Sequence, residues 1–549
     1  MKLKQRNPLS PEIDHFLRTL LWIFLLINIS SLIFYQFSNM RSDFFHESAY
    51  PYLYAQSDID SNSVFNSQFS GREIAPISWT LIDHILLLIG FKLTFLTVAV
   101  SNLIFLTFSL VVIVWFGSIF SLKKTQTLLL LVLFTTVYGV RPFKYSWMDQ
   151  VWIWPMNSYG IYEIFSLLLC ICSYKMLMNP INSISYFGVI RHGKFYLIPF
   201  FLFGLNHNRG LLEIYGPVGF SLFALFLVSN RADGIIQQKK YVQVFVVTLI
   251  TTIVGRTLVG IFTLGVPQYW QQPSQFFTTL DQSNFASKIL SPILTIFQVF
   301  GMNPVNGEAV VSGHGVRVLS LFALVITIVF MPLIRYLQGN NFKNLPITAK
   351  FMFFHLVYFV LVAFLTSVFT NSAGVIRYLI PLAISALFFV PFAFSENLKK
   401  QTVYFSIILL FIAPSIFMGA KHLNEPLDVN YRETSNYLLT QSLLERNLNY
   451  GFVGPWTEDV LTIPFYSDGK IHVSLIDVAP IGPHLHANKS WFSVNDHKGA
   501  TFVAFPTDSV FKDAKFLDLI KTADSEYVIE KWTVLIYREN PANLIGQLP

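Results

Sequence analysis

Asp43, His46 and Glu47 fall within one helical turn of one another in Asp43-Phe-Phe-His46-Glu47-Ser-Ala-Tyr50-Pro51-Tyr52-Leu53-Tyr54. A carboxylate in such a stretch can take the proton of an attacking hydroxyl, and the aromatics behind it can stack on a sugar face. Wet loop residues beside an interfacial aromatic belt account for the same stretch without chemistry. Three arginines form the second constellation. Arg256, in Thr251-Thr-Ile-Val-Gly-Arg256-Thr-Leu-Val-Gly260, lies deep inside an apolar run. A charge at that depth costs ~2.5–3.5 kcal/mol unless it meets a cavity or a partner. Arg209, in Gly204-Leu-Asn-His207-Asn208-Arg209-Gly210, and Arg377, in Asn371-Ser-Ala-Gly-Val-Ile-Arg377-Tyr378-Leu-Ile-Pro381, stand at the edges of other apolar runs. The planar fork of arginine suits a phosphate, so the three form a candidate phosphate-binding set. The alternative is snorkelling or ion pairing, with Glu163 and Glu213 as partners. Asp149, in Trp147-Met-Asp149-Gln-Val-Trp-Ile-Trp154, is a candidate second acid or an interface anchor. His46, His207 and Tyr378 join it as candidate substrate-contacting residues.

Other motifs point away from cofactor chemistry. His484 and His486 in Pro483-His-Leu-His486 have no third ligand at metal-site spacing, so no metal is expected. GxxxxGK[ST] and the Rossmann-type GxGxxG are both absent, so neither ATP nor a dinucleotide is implied and no cofactor is expected. Asn488-Lys-Ser490 matches a glycosylation sequon, a pattern short enough to arise by chance.

The elements that must carry these residues are apolar. Of 549 residues, 53% are hydrophobic and 13% charged, about half the charged share of a soluble domain. That excludes a soluble enzyme and a disordered chain, and predicts a polytopic α-helical membrane protein. About eleven spans are predicted, centred on 16–37, 93–120, 125–140, 159–175, 195–206, 211–229, 241–265, 316–334, 350–370, 377–394 and 402–419. The first follows Lys2, Lys4, Arg6 and Arg18 without a cleavage site, which predicts an uncleaved anchor with its N-terminus inside. Every loop then predicted to be cytoplasmic holds a basic cluster: Lys123/Lys124, Arg191/Lys194, Arg231/Lys239/Lys240, Arg335/Lys343 and Lys399/Lys400. The opposite loops hold most of the acids. The positive charge therefore orients the chain in a bilayer, and nucleic acid is not an expected partner. Cys170 and Cys172 lie in one apolar run and encode no disulfide framework.

Two domains are expected: a membrane module over 1–420, with a long first outer loop at 38–92, and a soluble α/β domain over 421–549 outside the membrane. The tail differs sharply in charge, with 11 basic and 16 acidic residues against 27 and 15 before it. Strands are predicted at 470–476, 500–505 and 527–537, and helices at 431–446 and 509–522. Short apolar helices that do not span are predicted at 79–90, lying in the interface or re-entrant, and near 289–300.

With these features in place, the chain resembles the GT-C superfamily of polytopic glycosyltransferases, which use lipid-phosphate-linked sugars. The likeness rests on the Asp43…Glu47 pair directly after the first span, on Pro76-Ile-Ser-Trp…Ile82-Asp-His-Ile-Leu-Leu-Leu-Ile-Gly90-Phe before the second, on Arg377-Tyr378-Leu-Ile-Pro381 late in the chain, and on a soluble C-terminal domain. Asp43 and Glu47 are separated by three residues, where several members have adjacent acids. The tail carries no WWDxG-type signature of oligosaccharyltransferases. The resemblance implies an inner-membrane enzyme that moves a sugar from a polyprenyl-phosphate donor to an acceptor hydroxyl on a glycan, lipid or protein at the periplasmic face. It implies Asp43 or Glu47 as the base, with Arg256, Arg377 and Arg209 on the phosphate. Competing expectations are a transporter or flippase, or a polymerase of lipid-linked saccharides. Transporters commonly show two related halves, and the sequence shows no internal repeat.

Overall fold

A computed structural model describes residues 11–38, 52–53, 55–56, 77–139, 159–178, 186–206, 210–229, 235–262, 285–300, 312–338, 342, 345–369, 379–394, 397–422, 431–455, 460–478, 481–484, 489–492, 499–508 and 514–546. Long apolar runs satisfy their backbone groups internally by forming helices. They give α1 (Pro11–Ser38), α2 (Ile77–Leu88), α3 (Phe95–Ile119), α4 (Lys124–Gly139), α5 (Tyr159–Met178), α6 (Tyr186–Gly204), α7 (Gly216–Val228) and α8 (Ile235–Phe262). Beyond these come α9 (Phe285–Val299), α10 (Gly313–Val325), α11 (Met331–Gln338), α12 (Ile347–Phe369), α13 (Ile380–Phe389) and α14 (Leu398–His422). Two π-helical segments, Gly210–Tyr215 and Ile326–Phe330, run directly into α7 and α11.

The protein is a multi-pass helical membrane protein. Among the described residues, seven helices are long and apolar enough to cross a bilayer: Asp14–Phe34, Phe95–Ile119, Gly210–Val228, Gln238–Ile261, Gly315–Leu337, Ile347–Phe369 and Lys399–Phe417. Three of the remaining predicted spans are shorter or less apolar helices, at 124–139, 159–178 and 186–204, and the fourth is the short run Ile380–Phe392. Side-chain exposure fits a lipid environment. Phe16, Trp22, Leu26, Leu410 and Phe417 are at least half exposed, a pattern that water would penalise and hydrocarbon accepts. In contrast, all ten residues of α13 are buried, as expected of a helix that is apolar all round.

Packing groups the described residues into two compact units. The first comprises those in Met1–Tyr35, Phe105–Gly260 and Gln271–Glu425, and the second those in Gln36–Ile104, Ile261–Trp270 and Pro426–Pro549. In the first unit α1 and α4 are joined by Asn28, whose amide donates to the Thr135 and Thr136 hydroxyls at 3.1 and 2.9 Å. At fifteen residues α9 is about 22 Å long, too short to span. Near its start the Lys288 ammonium donates to the Val368 carbonyl at the end of α12. Near its end Phe297 stacks on Phe322 and Phe330, centroids 4.9 and 5.8 Å apart, well inside the span Gly315–Leu337. It therefore runs from a span's end to mid-depth in the bundle.

In the second unit a six-stranded mixed sheet forms from β1 (Tyr450–Val453), β2 (His472–Val478), β3 (Ile481–Pro483), β4 (Phe502–Pro506), β5 (Ser525–Ile529) and β6 (Trp532–Ile536), in the order β3-β2-β1-β4-β6-β5. β1 is parallel to both neighbours, β2 and β4, while the outer pairings are antiparallel. Residues Phe452, Ile476, Val503, Phe505, Phe516, Leu519 and Leu535 form its core. The run 527–537, read from sequence as one strand, is a hairpin. Ile529 pairs with Trp532 across Glu530-Lys531, and Glu530 takes φ 50°, the left-handed turn a two-residue connection requires. The predicted helix at 431–446 starts as a 3-10 turn, Tyr431–Glu433, and continues as α15 (Ser435–Glu445) from the Thr434 cap. The one predicted at 509–522 is α16 (Ala514–Thr522).

Candidate functional site

Arg256 sits on α8 where that helix crosses α6 at very close range. A Cβ on Gly204 would stand 2.3 Å from the Thr252 carbonyl oxygen, and one on Gly255 would stand 2.3 Å from the Phe201 carbonyl oxygen. Only glycine lets two backbones touch this way, the device membrane helices use to pack without bulky side chains. The crossing therefore fixes the depth of Arg256, the next residue after Gly255. Arg256 is half-buried, and its guanidinium reaches forward along α8 to Gly260, where a Cβ would be 3.2 Å from Nη1. Gly204 ends α6, and the chain then reads Leu205-Asn206-His207-Asn208-Arg209.

Directly after Arg209 the chain takes its first π-helical segment, carrying Glu213. A π-segment shifts the hydrogen-bond register and leaves carbonyls for other partners. Here Tyr358 of α12 donates to the Leu212 carbonyl at 2.6 Å, and Tyr215 donates to the Phe245 carbonyl on α8 at 3.1 Å. Gly216 makes room for the first contact, since its Cβ would lie 2.2 Å from the Tyr358 hydroxyl.

Deeper in the same unit, α5, α12 and α13 bury a polar cluster. His355 Nδ1 lies 3.5 Å from Glu163 Oε1 and hydrogen-bonds with the Ser385 hydroxyl at 2.8 Å. Its Nε2 hydrogen-bonds with Ser166 at 2.9 Å. Glu163, His355, Ser166 and Ser385 are all 0% exposed. Glu163, offered from sequence as an arginine partner, is paired with this histidine.

Two further basic residues are buried in the first unit. Lys288 on α9 and Arg317 on α10 are 8% and 3% exposed. The Ser367 hydroxyl donates to the Lys288 carbonyl at 2.8 Å, so α9 and α12 are bonded in both directions at this point. The signal that marked Arg256, a basic residue inside an apolar run, marks these two equally: Ser287-Lys288-Ile-Leu and Gly315-Val-Arg317-Val-Leu.

The second unit holds a separate polar centre. Asp83 on α2 is fully buried and accepts a hydrogen bond from the Ser101 hydroxyl at 2.7 Å. Burial pushes its carboxyl up to about 7, against the opposing pull of Ser101 and His84. Tyr52, 1% exposed, is raised above its usual range by burial and by the Asp83 charge, against the opposing pull of a hydrogen bond with Ser101. In the sheet, His484 is 5% exposed and its Nε2 lies 3.9 Å from Asp477 Oδ1, a contact within the fold. No group of three metal-ligating side chains occurs among the described residues. Asp43, His46, Glu47, Asp149, His207, Arg209, Arg377 and Tyr378 lie outside the described residues.

The architecture defines a class: a multi-pass helical membrane protein whose chain includes a small mixed α/β fold. Two solved structures are similar to the chain at low identity. One is ArnT from Cupriavidus metallidurans bound to undecaprenyl phosphate, 13% identical, with 96% of this chain and 99% of that chain covered at a TM-score of 0.47. The other is the Archaeoglobus fulgidus oligosaccharyltransferase, 12% identical, with 88% and 68% covered at a TM-score of 0.43. Neither a family model nor a curated protein sequence matches the chain.

Proposed function

We propose that the protein is an integral-membrane glycosyltransferase that moves a sugar from a polyprenyl-phosphate-linked donor to an acceptor hydroxyl at the outer, periplasmic face of the inner membrane. The observation that carries this reading is Arg256: a half-buried arginine on α8, held beside the close glycine crossing of α6 and α8. A cation placed there suits a lipid phosphate, because the leaving phosphate gains negative charge as the sugar departs and a fixed cation in a dry site stabilises it. Arg209 and Arg377 complete the set in this reading.

In the proposed reaction the acceptor oxygen attacks the anomeric carbon while the bond from that carbon to the phosphate oxygen breaks. The lipid phosphate leaves with the electron pair, and the acceptor's proton passes to Asp43 or Glu47. Inversion at the anomeric carbon follows from the single displacement. The α/β fold of 421–549 would lie on the same side as the acceptor and select it.

The test is a transfer assay on full-length protein in membranes, read as surface-glycan addition in cells and as donor dependence in vesicles supplied with polyprenyl-phosphate sugar. Arg256→Ala is expected to raise the donor requirement about 10-fold or more, the scale of one charge-assisted hydrogen bond, and to leave the acceptor requirement within about twofold. Asp43→Ala and Glu47→Ala, singly or together, are expected to abolish transfer while the protein still inserts. Unchanged donor dependence in Arg256→Ala removes the phosphate role, and wild-type transfer by the double carboxylate variant removes the catalytic assignment.

A further inference from the structure

The span Phe95–Ile119 has 25 residues, about 37 Å of helix against about 30 Å of hydrocarbon, so its first residue stands at the lipid headgroups. Around that point the second unit exposes apolar side chains. Ile85 and Leu88 on α2, Ile89 just after it and Leu96 on α3 are all at least half exposed, a surface that lipid covers and water would penalise. Three tyrosines of the tail pack at the same point. Tyr466, at the end of the short helix Ile463–Tyr466, has its ring 5.4 Å from that of Phe95. Tyr431 stacks on Tyr466 with centroids 6.1 Å apart, and Tyr437 meets both rings edge-on, at 5.4 and 5.8 Å. All three tyrosines are half-buried.

Three cations surround this group. Gly469 takes φ 75° and comes so close to the chain before α3 that its Cβ would lie 3.5 Å from the Leu93 Cβ. Their sequence neighbours Lys470 and Lys92 therefore have Cα atoms within about 14 Å of each other. Both lysines are exposed, as is Arg432, whose Nε donates to the Tyr431 hydroxyl at 3.2 Å. Glu433 and Asp468 are exposed in the same stretch, so cations and carboxylates are mixed here, as the charges of a phospholipid headgroup are. Tyrosine rings with one apolar body and one polar end collect at headgroup depth, and the arginine fork suits a phosphate.

We propose that Tyr431, Tyr437 and Tyr466, with Arg432, Lys470 and Lys92, form a phospholipid-headgroup site at the leaflet where α3 begins. The rings lie among the headgroups and the three cations pair with lipid phosphates. The occupant is the bilayer itself, because the site is continuous with the lipid-covered apolar surface of α2 and α3. This holds whether or not the protein transfers a sugar.

The experiment uses full-length protein in phosphatidylcholine nanodiscs, with Glu433→Cys labelled by a bimane fluorophore. Cys170 and Cys172 are buried and give little background. Nitroxide lipids then quench the label, carrying the nitroxide either on the headgroup or at the acyl-chain end. The headgroup nitroxide is expected to quench more than the chain-end one, with Leu96→Cys on the lipid-facing side of α3 setting the full scale. Quenching at 433 no greater than that of a bimane–thiol conjugate free in solution overturns the site, and leaves water or a second copy of the chain against the tyrosines. A second titration uses phosphatidylglycerol bearing a nitroxide just below its headgroup, mixed into phosphatidylcholine. In the Glu433→Cys background, Arg432→Gln is expected to raise the mole fraction of this lipid needed for half-maximal quenching about fivefold, the weight of one cation at an anionic surface. An unchanged titration in Arg432→Gln overturns the phosphate pairing.

Discussion

Glu163 and His355 meet inside the bundle at 3.5 Å, with a serine on each ring nitrogen of the histidine. The histidine and the two serines satisfy one another, while neither carboxyl oxygen of Glu163 has a hydrogen-bond partner among the described residues, so Glu163 contributes by filling a fully buried space against the ring. Glu163→Ala should therefore cost about 2–3 kcal/mol in unfolding free energy through the cavity it leaves, whereas Glu163→Gln, which keeps the size, should stay within about 1 kcal/mol of wild type. Thermal unfolding in detergent micelles distinguishes them, and equal losses would show that the carboxyl itself matters and its volume does not. The sequence offered Glu163 as a partner for an arginine. It gave no hint of the histidine, because residues 192 positions apart are joined by packing and not by spacing. Lys288 and Arg317 teach the converse lesson: their signal was in plain view as basic residues inside apolar runs, and the same rule that selected Arg256 selects them.

At the scale of elements, helix existence was legible and helix contact was not. The predicted helices at 79–90 and near 289–300 are α2 and α9, found from short apolar runs bounded by Gly and polar residues. The π-segments left no mark in the sequence, and β1 and β3 are too short, at four and three residues, for alternation to show. The α6–α8 crossing likewise needed coordinates, since glycines in apolar runs are common and only geometry shows which ones touch. Gly255→Ala forces a Cβ to 2.3 Å from the Phe201 carbonyl, so the helices must part. The expected loss is about 1–3 kcal/mol, accompanied by a raised donor requirement, since Arg256 moves with its neighbour. Ile253→Ala, on the exposed side of the same helix, should change stability by less than about 1 kcal/mol. Equal unfolding midpoints for the two variants would refute the close crossing.

Across the whole molecule, charge and hydropathy set the relation to the bilayer. The basic clusters at 123–124, 191–194, 231–240, 335–343 and 399–400 recur between alternate apolar helices, which the positive-inside rule converts into an orientation. A fluorescent protein fused before Met1 should fluoresce in the cytoplasm, and alkaline phosphatase fused after Pro549 should be active outside; the reverse pair would overturn the orientation and the odd number of spans with it. Apolar length and charge bias are properties of contiguous residues, so the sequence by itself determined that the chain is a multi-pass helical membrane protein with a different, α/β-type composition in its tail. Tertiary structure alone decided that Gly204 meets Gly255 beneath Arg256, that Glu163 pairs with His355, and that Tyr52 is buried beside Asp83. Each of these joins residues distant in sequence, and close packing between separate elements depends on shape complementarity that no local pattern encodes.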